Sequence, residues 1–413
     1  MAVENLDVYL VGGAVRDELL AREVKEQDFV VVGSTPQEML ARGFQQVGKD
    51  FPVFLHPQTK DEHALARTER KKGRGYTGFE CYAEPDVTLE QDLIRRDLTV
   101  NAMAKSHDGK IIDPYGGLDD LNNRILRHVS DAFSEDPLRV LRVARFAARY
   151  HYLGFKVADE TKQLMAQISH SGELSSISPE RIWLEMSKAL SEENPEVFFE
   201  ILRETQALKE IWPDLDKLWG IPNPAKWHPE ICSGVHTMMV LQQASQLTDD
   251  IAIRFAALCH DLGKTITPSD KWPSHHGHEG LGVPLVEDIC KKLRVPKKTT
   301  QLAIAVCRFH LHCHKAFELK PSTILKVFNQ LDVWRNETLL FDFLIACMAD
   351  FRGRTGSEKA DYPQKTYFEQ CYQATKTVTA QAFVAKGLKG AQIKTAINEE
   401  RVEVISKIKQ TAS

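Results

Sequence analysis

Residues 24–33 read VKEQDFVVVG: two acids, Glu26 and Asp28, run into the apolar stretch Phe29, Val30, Val31 and Val32. Four consecutive apolar residues at this length read as a strand entering a core. Side chains at i and i+2 of a strand point the same way, so the two carboxylates would stand side by side. Such a pair of hard oxygen donors suits magnesium held between protein and a triphosphate. It equally describes the solvated end of an ordinary strand, and the stretch alone does not separate the two readings.

Upstream, YLVGGAVRDELLA (9–21) reads as strand, glycine turn and helix start. Gly12 and Gly13 let the backbone approach a ligand, and Arg16 in the first helical turn could grip an oxyanion. The pair matches neither the dinucleotide fingerprint nor the P-loop, and a plain strand-to-helix turn fits as well. Downstream, LARTERKKGRGYTGF (65–79) is a basic, glycine-bearing loop with Tyr76 and Phe79, suited to phosphates and stacking or simply solvated. LEQDLIRRDLTVNAMA (89–104) and the acidic, glycine-rich DPYGGLDDLNNRILRHV (113–129) follow. In EDPLRVLRVARFAAR (135–149), Arg139, Arg142, Arg145 and Arg149 share one side of a helix, and Val140, Leu141, Ala144 and Ala147 form its apolar remainder. Few acids lie on that helix to neutralise the arginines, so the stripe is expected to face an anion.

The chain has 413 residues with 43% hydrophobic and 27% charged side chains, a multidomain globular composition. Its net charge of −4 excludes a globally basic polyanion binder, so any nucleic-acid site must be a local cluster of Arg and Lys. The acidic start is unlike a signal peptide, and no apolar run approaches the roughly 20 residues of a membrane helix. Eight scattered cysteines without a C-x-x-C pair fit reduced thiols in a cytoplasmic protein.

Strand-like runs are concentrated in the first 115 or so residues, and the remainder is helical. The expected fold class is α+β: a mixed or antiparallel sheet in the head, then an all-α neck, body and tail. The expected division is 1–145 head with the start of the neck helix, 146–232 helical neck and body, 233–334 a histidine-rich domain, and 335–413 a helical tail. In the third part, GVHTMMV, LCHDLGK, SHHGHEG and RFHLHCH bring His236, His260, Asp261, His275, His276, His278, Glu279 and His310 into one block. A lone histidine is usually structural, but here the adjacent His260 and Asp261 stand with separated histidines before and after them.

GGAVRD, the acid-x-Asp strand, RRDLTVNA, DPYGGLDDL and EDPLRVLRVARF, in this order and spacing, resemble the class II CCA-adding tRNA nucleotidyltransferases, relatives of the polymerase beta superfamily. The histidine block resembles HD phosphohydrolases, and ADFRGRTG (349–356) and GLKGAQI (387–393) extend the likeness to bacterial CCA enzymes carrying an HD domain. The resemblance implies that Glu26 and Asp28 hold magnesium, that Gly13 and Arg16 contact the incoming nucleotide, and that Arg96 binds its phosphates. It implies that Asp97 reads the ribose 2′-hydroxyl, that Asp136 and Arg139 replace a template, and that Arg142 and Arg145 complete the pocket. An Arg donor beside an Asp acceptor fits the pairing edges of cytosine and adenine and rejects guanine and uracil. His236, His260, Asp261 and His310 would form the HD site, binding a transition metal such as nickel, with cyclic phosphodiesterase, 2′-nucleotidase and phosphatase activity.

The implied partners are CTP, ATP and the acceptor stem and 3′ end of tRNA, with no membrane, for a monomer or homodimer. Two positions depart from the family pattern: Glu26 stands where Asp is usual, and Leu311 follows His310 where an Asp is usual. Either His312 or His314 substitutes, or the site is weakened or idle. A bacterial poly(A) polymerase is the nearest alternative, although an extended basic tail is lacking. A CC- or A-adding enzyme comes next, then an HD hydrolase or RNA-binding protein with an impaired head.

Overall fold

The computed structural model describes residues 3–47, 53–71 and 79–412. The chain divides into two compact units, Met1–Met186 with Val197–Ile211, and Ser187–Glu196 with Trp212–Ser413. The division falls inside the stretch 146–232 that the sequence reads as one neck and body.

The first unit is built on β1 (Asp7–Val11), β2 (Asp28–Val32), β3 (Gln45–Val47), β4 (Val53–Leu55), β5 (Glu62–Leu65), β6 (Thr68–Lys71), β7 (Phe79–Tyr82), β8 (Ala104–Lys105) and β9 (Ile111–Ile112). Seven of them form one mixed sheet in the order β3-β4-β5-β2-β1-β8-β9, with β6 and β7 paired apart. The β2 strand lies at the centre, antiparallel to β1 and parallel to β5. Its unbroken apolar run has a direct cause, since both faces are covered. Val30 packs with Val11, Leu93, Ala102 and Ala104, while Val31 packs with Met39, Phe44, Phe54 and Leu65. By strand alternation Asp28 shares the Val30 face, the side on which residues 93–104 lie. The strand opens at Asp28, so Glu26 lies on the connecting segment and not on the strand itself.

A short helix, α1 (Gly13–Leu19), follows β1 through Gly12, whose φ of 71° belongs to the left-handed region. The arginine stretch forms α2 (Leu138–Tyr150), which buries Val140, Leu141, Val143, Ala144, Ala147 and Ala148. A further helix, α3 (Pro179–Leu190), opens on a proline, whose fixed φ suits the first helical turn.

In the second unit, α4 (Ser233–Leu247), α5 (Ile251–Cys259), α6 (His278–Lys292), α7 (Lys297–His314) and α8 (Glu337–Arg352) pack together. Small residues set how near they come: Ala244, Ala257 and Ala349 meet around Val240. A Cβ on Gly263 would lie 1.9 Å from the carbonyl oxygen of His278, and one on Gly282 would lie 2.6 Å from Cys307 Sγ. These two glycines let the start of α6 lie against the segment that follows α5.

Because the obstructing atom at Gly263 is backbone, Gly263→Ala cannot be relieved by a rotamer change. It is expected to destabilise this unit by about 1–3 kcal/mol or more. Thermal unfolding followed by circular dichroism, together with metal content, would measure the loss.

Candidate functional site

Each unit brings together one cluster of charged side chains. In the first, Asp28 and Glu62 are register partners on adjacent strands, and Glu26 precedes Asp28 by two residues. Burial raises the Asp28 carboxyl above its ordinary range, the Arg96 guanidinium opposes that shift, and the Glu26 charge adds to it. Crowded carboxylates with mutually unfavourable charge are a fitting host for a hard divalent cation. Glu62 escaped the sequence reading because only the pairing of β2 with β5 brings it alongside Asp28.

Arg96 packs directly over the glycine turn, where a Cβ on Gly12 would lie 2.7 Å from its Nη1. Its Nη2 bonds Asp92 Oδ2 at 3.3 Å, and its charge reaches Asp28. Arg16 lies beneath the turn, 3% exposed, donating from Nε to Asp17 at 3.0 Å and from Nη1 to Asn101 Oδ1. Its Nη2 would lie 3.3 Å from a Cβ on Gly13. Here Arg16 braces the turn from below.

Asp97 is buried, and all its acceptor directions are taken. Oδ1 receives Leu98 N and Asn101 Nδ2, both at 2.9 Å, while Oδ2 receives Arg142 Nε at 2.8 Å and Nη2 at 2.7 Å. Burial alone would raise this carboxyl, but Arg142 and Asn101 hold it well below the usual range. Asp97 thus ties the RRDLTVNA segment to α2 through a two-pronged arginine contact.

The arginine stripe is neutralised from outside its own helix. Arg142 meets Asp97, Arg145 Nε meets Glu185 of α3 at 2.6 Å, and Arg149 lies 3.5 Å from Asp17. Arg139 donates to the carbonyls of Ala132 at 2.8 Å and Arg95 at 2.5 Å. Asp136 caps the backbone of Leu138 with Oδ1 at 3.0 Å and receives Arg181 Nη2 on Oδ2 at 3.1 Å. Asp136 and Arg139 therefore lie near one another at the start of α2, each half-buried and anchored to different partners. Arg181 and Glu185 were not singled out from sequence, because their partners are about forty residues away. The basic loop with Tyr76 lies partly outside the described residues, at 72–78.

In the second unit five helices converge. His236 comes from α4, His260 and Asp261 from the end of α5, His278 from the start of α6, His310 from α7 and Asp350 from α8. His236 Nε2 lies 3.2 Å and His260 Nε2 3.8 Å from Asp350 Oδ1, and His260 Nε2 lies 3.0 Å from Asp261 Oδ2. On the other side of the same carboxyl, Asp261 Oδ1 lies 3.2 Å from His278 Nε2 and 3.8 Å from His310 Nε2. Asp261 therefore sits between two triads, His236–His260–Asp350 and Asp261–His278–His310, whose ligating atoms are each within 4.8 Å of one another.

The far nitrogens are already committed. Nδ1 of His260 lies 2.7 Å from the carbonyl of Ala257, Nδ1 of His278 2.9 Å from that of His275, and Nδ1 of His310 3.1 Å from that of Val306. A carbonyl only accepts, so a ring proton of each sits on Nδ1 and Nε2 faces inward; where the ring is neutral that Nε2 carries a lone pair, whereas Asp261 and Asp350 raise His260 despite its burial. His278 Nε2 and His310 Nε2 are 3.3 Å apart. Two such lone pairs repel unless a cation lies between them, and burial beside His278 pushes His310 well down towards the neutral form. The donor set fits a divalent transition metal on each side of Asp261.

Asp350, 114 positions from His236, fills the place expected next to His310. Leu311 needs no substitute: His314 bonds the other oxygen of Asp350 at 2.6 Å, and His312 belongs to neither triad. Glu230 Oε1 lies 2.9 Å from His236 Nδ1 as a charge partner on the far side of that ring.

A mixed-sheet head with paired carboxylates and an arginine helix, joined in sequence to helices converging on His–Asp triads, defines a nucleotidyltransferase of the polymerase beta type with an HD domain. The comparisons agree. Residues 8–127 match the model of the poly A polymerase head domain, 154–218 that of a probable RNA and SrmB-binding site of polymerase A, and 234–336 the HD domain. The multifunctional CCA protein of Pseudoalteromonas atlantica is 57% identical over 401 residues, covering 97% of this chain and 99% of that one. The chain belongs to the multifunctional CCA proteins, CCA-adding tRNA nucleotidyltransferases that carry an HD domain. Among solved structures, the Thermotoga maritima CCA-adding enzyme complexed with tRNA shares the fold at a TM-score of 0.61 and 17% identity, covering 99% of this chain and 92% of that one. The Bacillus stearothermophilus enzyme in complex with CTP does so at 0.64 and 23% identity, covering 98% and 91%. No helix among the described residues is long and apolar enough to cross a membrane.

Asp97→Asn would leave Arg142 without its counter-charge. The expected cost is about 1–3 kcal/mol, below the value for a wholly buried pair because the Arg142 side chain is 37% exposed. The folded state keeps Asp97 ionised at pH values where the unfolded chain has taken up a proton, so stability there rises with pH. The contribution is complete above the unfolded value near ~3.9 and is lost as pH falls towards the lower folded value. Denaturant unfolding at pH 7 and along the acid limb should show the substitution losing both stability and part of this acid dependence.

Proposed function

We propose that the head adds the full 3′-terminal CCA of tRNA in the cytoplasm, using CTP and ATP with release of pyrophosphate, and that the HD domain is a metal-dependent phosphohydrolase. The reading of the head rests above all on the like-charged Glu26 and Asp28 beside Arg96, at the foot of the central strand.

Bound magnesium would supply charge neutralisation and a more acidic 3′-hydroxyl. Glu26 and Asp28 would hold it, and Glu62 stands where it can assist. Arg96, steadied by Asp92, would take phosphate oxygens over the Gly12–Gly13 turn, and Arg16 would support that turn. Asp97 fixes Arg142 against the pocket; a contact from Asp97 to the ribose would require one of its present donors to give way. Asp136 and Arg139 would read the base edge, with Arg181 steadying Asp136. Arg145 would complete the pocket wall, held by Glu185.

In the HD domain, His236, His260, Asp261, His278, His310 and Asp350 would hold one transition metal on each side of Asp261, supplying a nucleophilic water for 2′,3′-cyclic phosphates, 2′-nucleotides and other phosphate esters. The observation that carries this is the pair of inward Nε2 atoms of His278 and His310, 3.3 Å apart.

Incubation of tRNA lacking its 3′ end with CTP, ATP or both separates full CCA addition from CC-, A- or poly(A) addition. The expected products are CC with CTP alone and CCA with both. Asp28→Asn should abolish incorporation, whereas Glu26→Asp should be at least as active as the parent; a dead Glu26→Asp enzyme would mean the metal pair is misassigned.

Asp136→Ala and Arg139→Ala should raise incorporation of GTP and UTP on tRNA. Unchanged selection would remove the templating role.

Metal analysis should find about two ions per HD domain, falling in His278→Ala and in His260→Ala. Both variants should lose hydrolysis of cyclic phosphate while keeping CCA addition.

A further inference from the structure

After α8 the chain turns through Gly353, Arg354, Thr355 and Gly356, a stretch that neither centre uses. Its backbone is held at two points. A Cβ on Gly353 would meet the backbone of Val240 at 2.7 and 2.8 Å, so the turn lies hard against α4. Thr355 directs its N–H and hydroxyl to Glu230 Oε2 at 3.4 and 3.5 Å. The other oxygen of that carboxyl lies beside His236 Nδ1.

Between these anchors Arg354 reaches towards the metal-facing oxygen of Asp350, stopping 3.9 Å short. That is too long for a hydrogen-bonded pair. The side chain is 17% exposed, and its buried Nε has no hydrogen-bond partner among the described residues. The two neighbouring cations differ. Arg352 Nε donates to the carbonyl of Ala360 at 3.1 Å, and Lys264 Nζ is spent on Asp261 at 2.6 Å and Asn223 at 2.8 Å. Arg354 thus keeps a buried donor unspent beside the His236–His260–Asp350 triad, with its guanidinium carbon 5.6 Å from the centroid of the Phe351 ring.

A metal in that triad would take up the Asp350 charge and leave the guanidinium facing a cation. The arrangement then becomes favourable only with an anion that offers oxygens to both. A tetrahedral phosphoryl group does this, with one oxygen towards the metal and one or two towards the planar fork of the arginine.

We propose that Arg354 is the phosphoryl clamp of the HD centre, so that this site selects phosphate esters by gripping the phosphoryl oxygens from the side opposite the metals. The proposal rests on the metal-centre reading above. It assigns Arg354 a binding role and leaves the activation of water to the metal side.

The test is calorimetric titration of the metal-loaded full chain with inorganic phosphate, alongside metal analysis and hydrolysis of a nucleoside 2′-phosphate. Arg354→Gln should bind phosphate about ten- to a hundredfold more weakly, the usual worth of a charge-assisted contact. Its metal content should equal the parent's, and KM should rise more than kcat falls. Arg354→Lys should recover part of the affinity, and added guanidinium ion should recover some in the Gln variant. Equal phosphate affinity in parent and Arg354→Gln, with metal retained in both, overturns the clamp alone. Loss of metal from Arg354→Gln overturns it in favour of a purely structural support for Asp350. A parent that takes up no metal overturns the underlying reading, and the clamp with it.

Discussion

Burying an ionised carboxylate is costly unless its charge and its lone pairs are matched, and both centres of this protein are organised by that requirement. In the head the matching is internal. Asp97 receives two contacts from its own segment and two from Arg142, which fastens the RRDLTVNA turn to the arginine helix. Asp17 is matched likewise by Arg16, Tyr150 and, at longer range, Arg149. The arginines of α2 are thereby spaced along a wall whose charges are mostly spoken for, which leaves the half-buried Asp136 and Arg139 as its adaptable end.

In the HD domain the matching inside the chain is incomplete. Asp261 and Asp350 are held well below the usual carboxylate range despite burial, by His260 and Lys264 in one case and by His314 and His260 in the other. Yet the rings around them, where neutral, present lone pairs, since backbone carbonyls hold their far nitrogens. A fold that fixes tautomers in this way has spent its ring protons on orientation and left the centre short of positive charge. A metal ion would supply what is lacking, and proteins that orient imidazoles through carbonyl or carboxylate partners commonly do so around metals.

What could be read from sequence, and what could not, follows from the distance over which each feature is made. The β2 strand, the glycine turn and the arginine helix are local patterns, legible from periodicity and turn chemistry. The likeness of five motifs in order then supplied the family, which the close relative bears out. The partners of the arginine stripe were not legible: Asp97 and Glu185 lie 45 and 40 residues from their arginines and reach them only through packing. Asp350 was harder still. The family pattern points to the position after His310, where Leu311 stands, and the local substitutes are nearby histidines. The stretch ADFRGRTG is legible only as a likeness, although it holds both Asp350 and the turn that presents Arg354.

The same distinction between local and distant constraint bears on how the proposed metal pair of the head would accommodate Glu at position 26. Asp28 opens β2 and is fixed by pairing on both sides, to Val11 and to Glu62, so its carboxylate has little room to be anything but Asp. Glu26 belongs to the segment before the strand and is exposed, with no ladder bonds to hold its backbone. An added methylene there lengthens the reach by about one carbon–carbon bond and adds one torsion to be frozen, a cost of a fraction of a kcal/mol to about one. A free-standing backbone can move back by that amount, whereas a strand cannot. Under the proposed reading, strict octahedral placement of magnesium would be met by a fixed ligand on the strand and an adjustable one ahead of it.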